Sequence, residues 1–208
     1  MNEILDFFKT LTNPQSIIEY GGIVLLLVVI FCENGVFFAF FFPGDSLVFT
    51  AGLFCAIGLL HYPLYTVEAL MIAAALLGYL FGYFFGYKSG DVLMNRPDSI
   101  FFRKKYIEMA QDYHKKYGGK MLIIARFLPI IRTFAPILAG IIKMDFKKFM
   151  LYNAVGGIIW IFLLVHLGYY FGSLIPNPQQ YLHYIVFALV FGTSMPFLVS
   201  FLRKKKQG

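Results

Sequence analysis

The sequence predicts an all-α polytopic membrane protein made of inverted repeats. Each repeat holds a Pro-broken re-entrant hairpin followed by a spanning helix, and a cytoplasmic amphipathic helix joins the two. Three observations predict this. The 208 residues are 59% hydrophobic and only 14% charged, against roughly 45–50% and 25% in soluble domains. From Phe149 to Leu202 there is no Asp, Glu, Lys or Arg, a run long enough for two spans of about 20 residues each. In addition, the motif pair FFPGDSLVFTAG (41–52) and GYFFGY (82–87) has a counterpart in RFLPIIRTFAPILAG (126–140) and GYYFGS (168–173).

The N-terminus, MNEILDFFKTLTNPQ, is acidic and amphipathic, without the basic region and short apolar core of a cleaved signal peptide. The first apolar segment, expected to stay in the mature protein, runs from about Ile17 to Phe42. It carries Glu19 and Glu33 and stops at Pro43-Gly44, a strong break. A second apolar stretch, Leu47 to Leu60, ends at His61-Tyr62-Pro63. As a helix it would cover only about 21 Å, short of a hydrocarbon core of about 30 Å. A re-entrant hairpin over about 44–60 is therefore expected. Leu64 to Tyr87 is a full-length span, with Glu68 near its start, and closes a first repeat over 17–87.

Residues 88–119 differ in character. They are basic, Pro97-Asp98 can start a helix and Gly118-Gly119 can end one. Phe102, Tyr106, Met109, Ala110, Tyr113 and Tyr117 recur at helical spacing on this charged segment. Such a stripe fits either the membrane interface or the protein's own helices. The second repeat, 120–172, begins with KMLIIARFLPIIRTFAPILAGIIK (120–143), which holds two arginines and two prolines. A lipid-facing helix does not carry these, since Arg costs at least about 2.5–3.5 kcal/mol at the bilayer centre. Irregular backbone at that depth must be shielded by protein or line a cavity. A second re-entrant hairpin over about 120–143 is expected, then spans at about 148–172 and 182–202.

The net charge of +7 is distributed as short clusters at the ends of apolar runs: Arg103 to Lys105, Lys115-Lys116, Lys147-Lys148 and Arg203 to Lys206. That pattern is the positive-inside signature and favours anionic headgroups. Nucleic acid is excluded as a partner, because no soluble module remains to carry it. If 120–143 re-enters, every basic cluster lies in the cytoplasm. If it crosses, the two later clusters lie outside. The re-entrant reading puts both termini in the cytoplasm and makes the hairpins enter from opposite sides. Matching broken segments in the two halves of a membrane protein point to a transport site.

Four ionisable residues lie at hairpin depth: Glu33, Asp45, Arg126 and Arg132. Isolated charges there are too costly, so these side chains are expected to face one another or water. Ion pairs that merely hold the hairpins together are one reading. A site is the other, in which arginines grip a phosphate through forked hydrogen bonds and carboxylates exchange protons. Pro43, Gly44, Pro129 and Pro136 are expected to shape the hairpins by breaking helix. The Gly-Tyr repeats read as close helix packing, and Asn153 as an interhelical hydrogen-bonding residue with a secondary chance of substrate contact. Cys32 and Cys55 read as small buried hydrophobes. His61, His114, His166 and His183 have no metal-ligand spacing, so no metal or cofactor is expected. The absence of GxSxG, HExxH and P-loop patterns argues against an enzyme.

These motifs, with Glu33 and the following YNAVGGIIW (152–160), resemble the DedA family within the VTT (SNARE-associated) superfamily, over roughly residues 17–175. The resemblance implies a multi-pass bacterial inner-membrane protein with two opposed re-entrant hairpins. It implies translocation of undecaprenyl phosphate or of phospholipids, and links to the proton-motive force and to drug or pH tolerance. The family's two acidic positions fall on Glu33 and Asp45, the latter where many members carry Glu. Its arginine positions fall on Arg126 and Arg132. The leading expectation is a proton-coupled carrier of a phosphate-bearing lipid, with membrane lipids and protons as partners and a homodimer left open. A phospholipid scramblase, a proton-coupled exporter of small cations or drugs, and a non-transporting membrane organiser are the alternatives.

Overall fold

The computed structural model describes residues 14–36, 44–94, 104–125 and 129–174. Every regular element among them is an α-helix. Helix α1 spans Pro14–Gly35 and is interrupted at Gly22, whose φ of 56° and ψ of −151° are not helical. A residue without a Cβ accepts that conformation at little steric cost, and it leaves an apolar segment, Gly22–Gly35, on the far side of the kink.

Helix α2, Gly44–Ala56, has 13 residues and so rises about 20 Å, in line with the short element expected. It ends where the amides of Leu59 and Leu60 both donate to the Phe54 carbonyl, at 3.0 and 3.2 Å, with Gly58 at a φ of 74°. Helix α3, Leu64–Met94, continues well past the predicted end at Tyr87, and its Leu64–Gly90 stretch is long and apolar enough to cross a membrane. Helix α4, Lys104–Tyr117, stops at Gly118 with a φ of 61°, where the glycine pair predicts a stop. The segment 120–143 forms two pieces, α5 (Lys120–Ala125) and α6 (Pro129–Ile141). Helix α7, Phe146–Leu174, is the second element able to cross a membrane. Asp145 caps it, its Oδ1 accepting from the Lys148 amide at 2.9 Å. The predicted span 182–202 lies outside the described residues.

The described residues fall into two compact units: 14–26 with 44–67 and 163–174, and 27–36 with 68–94, 104–125 and 129–162. In the first unit α2 packs on the C-terminal part of α7. A Cβ added to Gly52 would collide with the Val165 carbonyl, and one on Gly168 with the Phe49 carbonyl. One on Gly172 would lie 2.8 Å from the Ala56 side chain. Backbones meet here because no side chain keeps them apart.

In the second unit α6 packs on α3 by the same device. Gly140 faces the Tyr83 carbonyl and the Tyr87 amide, Gly86 faces the Ile137 carbonyl, and a Cβ on Gly90 would stand 3.2 Å from Ile141. Two more glycines extend the row. A Cβ on Gly78 would lie 2.6 Å from the Phe31 carbonyl oxygen of α1, and one on Gly82 would lie 3.0 Å from the Pro136 ring. Gly78, Gly82, Gly86 and Gly90 recur every four residues, so they share one face of α3. Tyr83 fixes the far end of α6, donating from its hydroxyl to the Met144 carbonyl at 2.6 Å while its ring lies 4.6 Å from Phe149.

One expectation needs correction. Pro136 does not break its helix; it sits inside α6. It contributes no N–H to the helix ladder, and its ring fills the space that Gly82 vacates. In α4 Ile107 packs against Ile137 and Ile141, and Met109 and Tyr117 of the predicted stripe are exposed.

Candidate functional site

The glycine contact between α1 and α3 stands next to the residues with the strongest chemistry. A Cβ on Gly35 would approach the Gly78 carbonyl oxygen to 2.6 Å. Glu33 and Asn34 immediately precede that crossing, and the sequence places them in the last turn of α1. Arg132 stands in the first turn of α6, which Pro129 opens, the favoured place for a proline. Arg132 Nη2 donates to Glu33 Oε1, and the two side chains are only 4% and 2% exposed. The guanidinium carbon of Arg132 lies 4.5 Å from the ring centroid of Trp160 on α7. Helices α1, α6 and α7 thus each contribute one residue to a charge site inside the second unit.

Other buried polar residues of this unit are Thr133, Asn153 and Glu68. Asn153 Nδ2 donates to the Phe149 carbonyl of its own helix at 3.2 Å. Asn34 is fully buried, and its Nδ2 donates to the Ile30 carbonyl at 2.7 Å. Its Oδ1 accepts no hydrogen bond from any described residue.

The electrostatics of the pair are unusual in one respect. A helix end carries about half a unit charge, positive at the N-terminus and negative at the C-terminus. Glu33 is a carboxylate at a C-terminus and Arg132 a cation at an N-terminus, so each sits at the end that disfavours it. Each is stabilised by the other against its helix end. A pair removed from water this fully also pays a desolvation cost that only good geometry offsets. An arginine at a helix N-terminus is also a place where an anion is electrostatically favoured.

The structure brings together Glu33 and Arg132 of the four predicted charges. Asp45 lies in the first turn of α2, in the other unit, half-buried. There the helix dipole favours its charge. Gly44 opens that helix, whereas Arg126 and Pro43 lie outside the described residues. Trp160 and Asn34 escaped sequence reasoning. Trp160 is the chain's one tryptophan and follows Asn153 by two helical turns, a same-face placement that could have singled it out.

Residues 42–170 match the VTT domain family model. The Protein DedA of Escherichia coli (strain K12) is 35% identical over 92% of this chain and 88% of its own length. An uncharacterized membrane protein of Mycobacterium tuberculosis (strain H37Rv) is 36% identical over 88% of this chain and 81% of its own length. The inner membrane protein YqjA of Escherichia coli (strain K12) is 32% identical over 80% of this chain and 74% of its length. No solved structure matches the chain. With a family model covering more than half its residues and relatives aligned along most of its length, the chain belongs to the DedA family of VTT-domain membrane proteins.

Proposed function

We propose that the protein moves a phosphate-bearing lipid between bilayer leaflets, with undecaprenyl phosphate as the leading substrate and proton exchange at a buried carboxylate as the coupling step. The observation that carries this reading is the Glu33–Arg132 pair, buried and set at mutually unfavourable helix ends. A phosphate arriving at the α6 N-terminus replaces Glu33 as the partner of Arg132, and Glu33 leaves the pair by taking up a proton. A guanidinium fits this role because its planar fork matches phosphate oxygens. Arg126, six residues earlier in the sequence, is the second arginine of the proposed grip. Asp45 is the second proton-exchanging group. The reading needs no covalent chemistry and no cofactor.

The topology of this proposal is that of inverted repeats. Helix α2 and the α5–α6 pair dip into the bilayer from opposite faces, and both termini lie on the cytoplasmic side of the inner membrane. The shortness of α2 and α6, at 13 residues each, and the positions of the lysine and arginine clusters support it.

The test is reconstitution of the purified chain in liposomes with a fluorescent polyprenyl phosphate, following its movement between leaflets for wild type, Arg132→Ala and Glu33→Gln. Transport by wild type that is lost in Arg132→Ala supports the reading. Full transport in Arg132→Ala overturns the phosphate grip. A wild type that moves phosphatidylcholine as fast as the polyprenyl phosphate is a general scramblase. One that moves no lipid but conducts protons when small cations are added is an exporter.

A further inference from the structure

Trp160 occupies an odd place for a lone membrane tryptophan. Tryptophans of membrane proteins gather at the two interfaces, where the ring is apolar and the N–H is wet. Trp160 is instead the central residue of α7, a helix of 29 residues from Phe146 to Leu174. It is 5% exposed. Its neighbours Ile158, Ile159, Phe162 and Leu163 are exposed large apolar residues on the outer side of the helix. Trp160 faces inward with Asn153 and Ile161, which are also buried. An interfacial anchor is not placed this way.

What the ring meets inside is the Arg132 guanidinium, 4.5 Å from its centroid and well within the roughly 6 Å of a cation–π contact. The consequence is geometric. An aromatic face that holds a guanidinium takes up none of its N–H donors. One of them already reaches Glu33 Oε1. The indole face holds the cation without using a hydrogen bond, so the arginine can change hydrogen-bond partners and keep its position. Burial strengthens such a contact, because no water competes for the cation.

We infer that Trp160 is a positioning residue of the anion site: its indole face fixes the plane of the Arg132 guanidinium while Arg132 exchanges the Glu33 carboxylate for a phosphate monoester oxygen. This rests on the phosphate-lipid reading of the same site, and it adds a residue that acts through Arg132.

Because the chain has one tryptophan, its emission reports on this contact directly. The full chain in nanodiscs is titrated with dodecyl phosphate and, separately, with inorganic phosphate, with dodecyl maltoside as a neutral control. Dodecyl phosphate is expected to shift the emission of wild type, and Arg132→Leu is expected to abolish that shift. A shift with dodecyl phosphate alone identifies a lipid headgroup site, and an equal shift with inorganic phosphate identifies a free-phosphate site.

In liposomes, Trp160→Leu is expected to raise the half-saturating lipid concentration about tenfold with a smaller change in maximal rate. Trp160→Phe, which keeps an aromatic face, is expected to stay within about threefold of wild type. Thermal unfolding of both variants separates this from a folding defect, since a core-filling role lowers the melting temperature without moving the half-saturation point. Unchanged half-saturation in a folded Trp160→Leu overturns the inference, as does an identical emission response in wild type and Arg132→Leu. If wild type moves no lipid yet its emission responds to phosphate only with Arg132 present, the lipid reading falls and the Trp160–Arg132 anion site stands.

Discussion

The two units share one way of packing and differ in what they do with charge. In each, a short helix carrying an Ala-Gly pair lies against a Gly-x-x-x-Gly stretch of a long apolar helix. Gly52 meets Val165 while Gly168 meets Phe49; in the other unit Gly140 meets Tyr83 while Gly86 meets Ile137. At the start of the short helices the resemblance ends. Asp45 stands in the first turn of α2, where the dipole favours a carboxylate. Beside it Thr50 donates to the Ser46 carbonyl at 2.7 Å, so that polar group is satisfied within its own helix. At the start of α6 stands Arg132, against the dipole and held by Glu33 and Trp160. A common backbone interlock thus carries a carboxylate that its helix end favours in one unit and a cation that its helix end disfavours in the other. The disfavoured charge is the one proposed to bind the substrate.

The largest expected effect breaks the buried pair. Arg132→Ala removes the cation that Glu33 meets, and breaking a buried pair of this kind costs about 3–5 kcal/mol. The double replacement Glu33→Leu with Arg132→Leu removes both charges and is expected to recover most of that stability, while lipid transport stays absent. Chemical denaturation of the four proteins of this cycle in mild detergent measures the first point, and the liposome assay the second. A double variant as unstable as the single one shows that the pair contributes packing rather than charge balance.

Next come the interlocks. Gly52→Ala and Gly140→Ala each push a Cβ into a backbone carbonyl of the neighbouring helix, and overpacking of this sort costs about 1–3 kcal/mol. If the two interlocks are alike, the two losses match within about 0.5 kcal/mol, as thermal or denaturant unfolding would show. A marked difference means that one interface can slide and the other cannot.

Much of this comparison was legible in the sequence, for reasons that also mark its limits. The apolar runs, the brevity of the segment after Pro43-Gly44 and the proline-bearing arginine segment all follow from the length and composition a bilayer demands. The Gly-Tyr repeats correctly read as close packing. Their partners stayed hidden, because glycine spacing shows that something approaches and not what approaches. The row from Gly78 to Gly90 was recognised only in its middle, where tyrosines drew attention to it. Pro136 misled because a proline's effect depends on the surrounding packing, and here the cleft at Gly82 accommodates the ring. The Glu33–Arg132 pair was legible as a cost needing compensation. Trp160 was not, since one indole in an apolar helix carries no periodic signal.

A smaller effect tests the one hydrogen bond that sets the interlocks apart. The residue that meets Gly140 is Tyr83, and the residue that meets Gly52 is Val165. Only the first carries a hydroxyl, which donates to the Met144 carbonyl beyond the end of α6 at 2.6 Å. Tyr83→Phe keeps the ring against Phe149 and Phe146 and removes that bond. The expected loss is about 0.5–1.5 kcal/mol, the net worth of such a bond in folding, read by denaturant unfolding. No change would mean that ring packing alone pins the end of α6.

Asp45→Asn gives the smallest change in stability and the sharpest contrast with the other unit. Asparagine keeps the shape and can still serve at a helix start, and the charge–dipole contribution lost there is about 0.3–1 kcal/mol. Glu33→Gln keeps shape equally well, yet it leaves Arg132 buried at a helix end that repels it, and its loss is expected to be several times larger. Both variants remove a proton-exchanging group in the proposed transport cycle. Both are therefore expected to weaken the dependence of lipid movement on a pH gradient, while denaturant unfolding separates them clearly. Equal losses of stability would mean that the charge of Asp45 matters to the fold as much as that of Glu33. The two units would then carry charge in the same way.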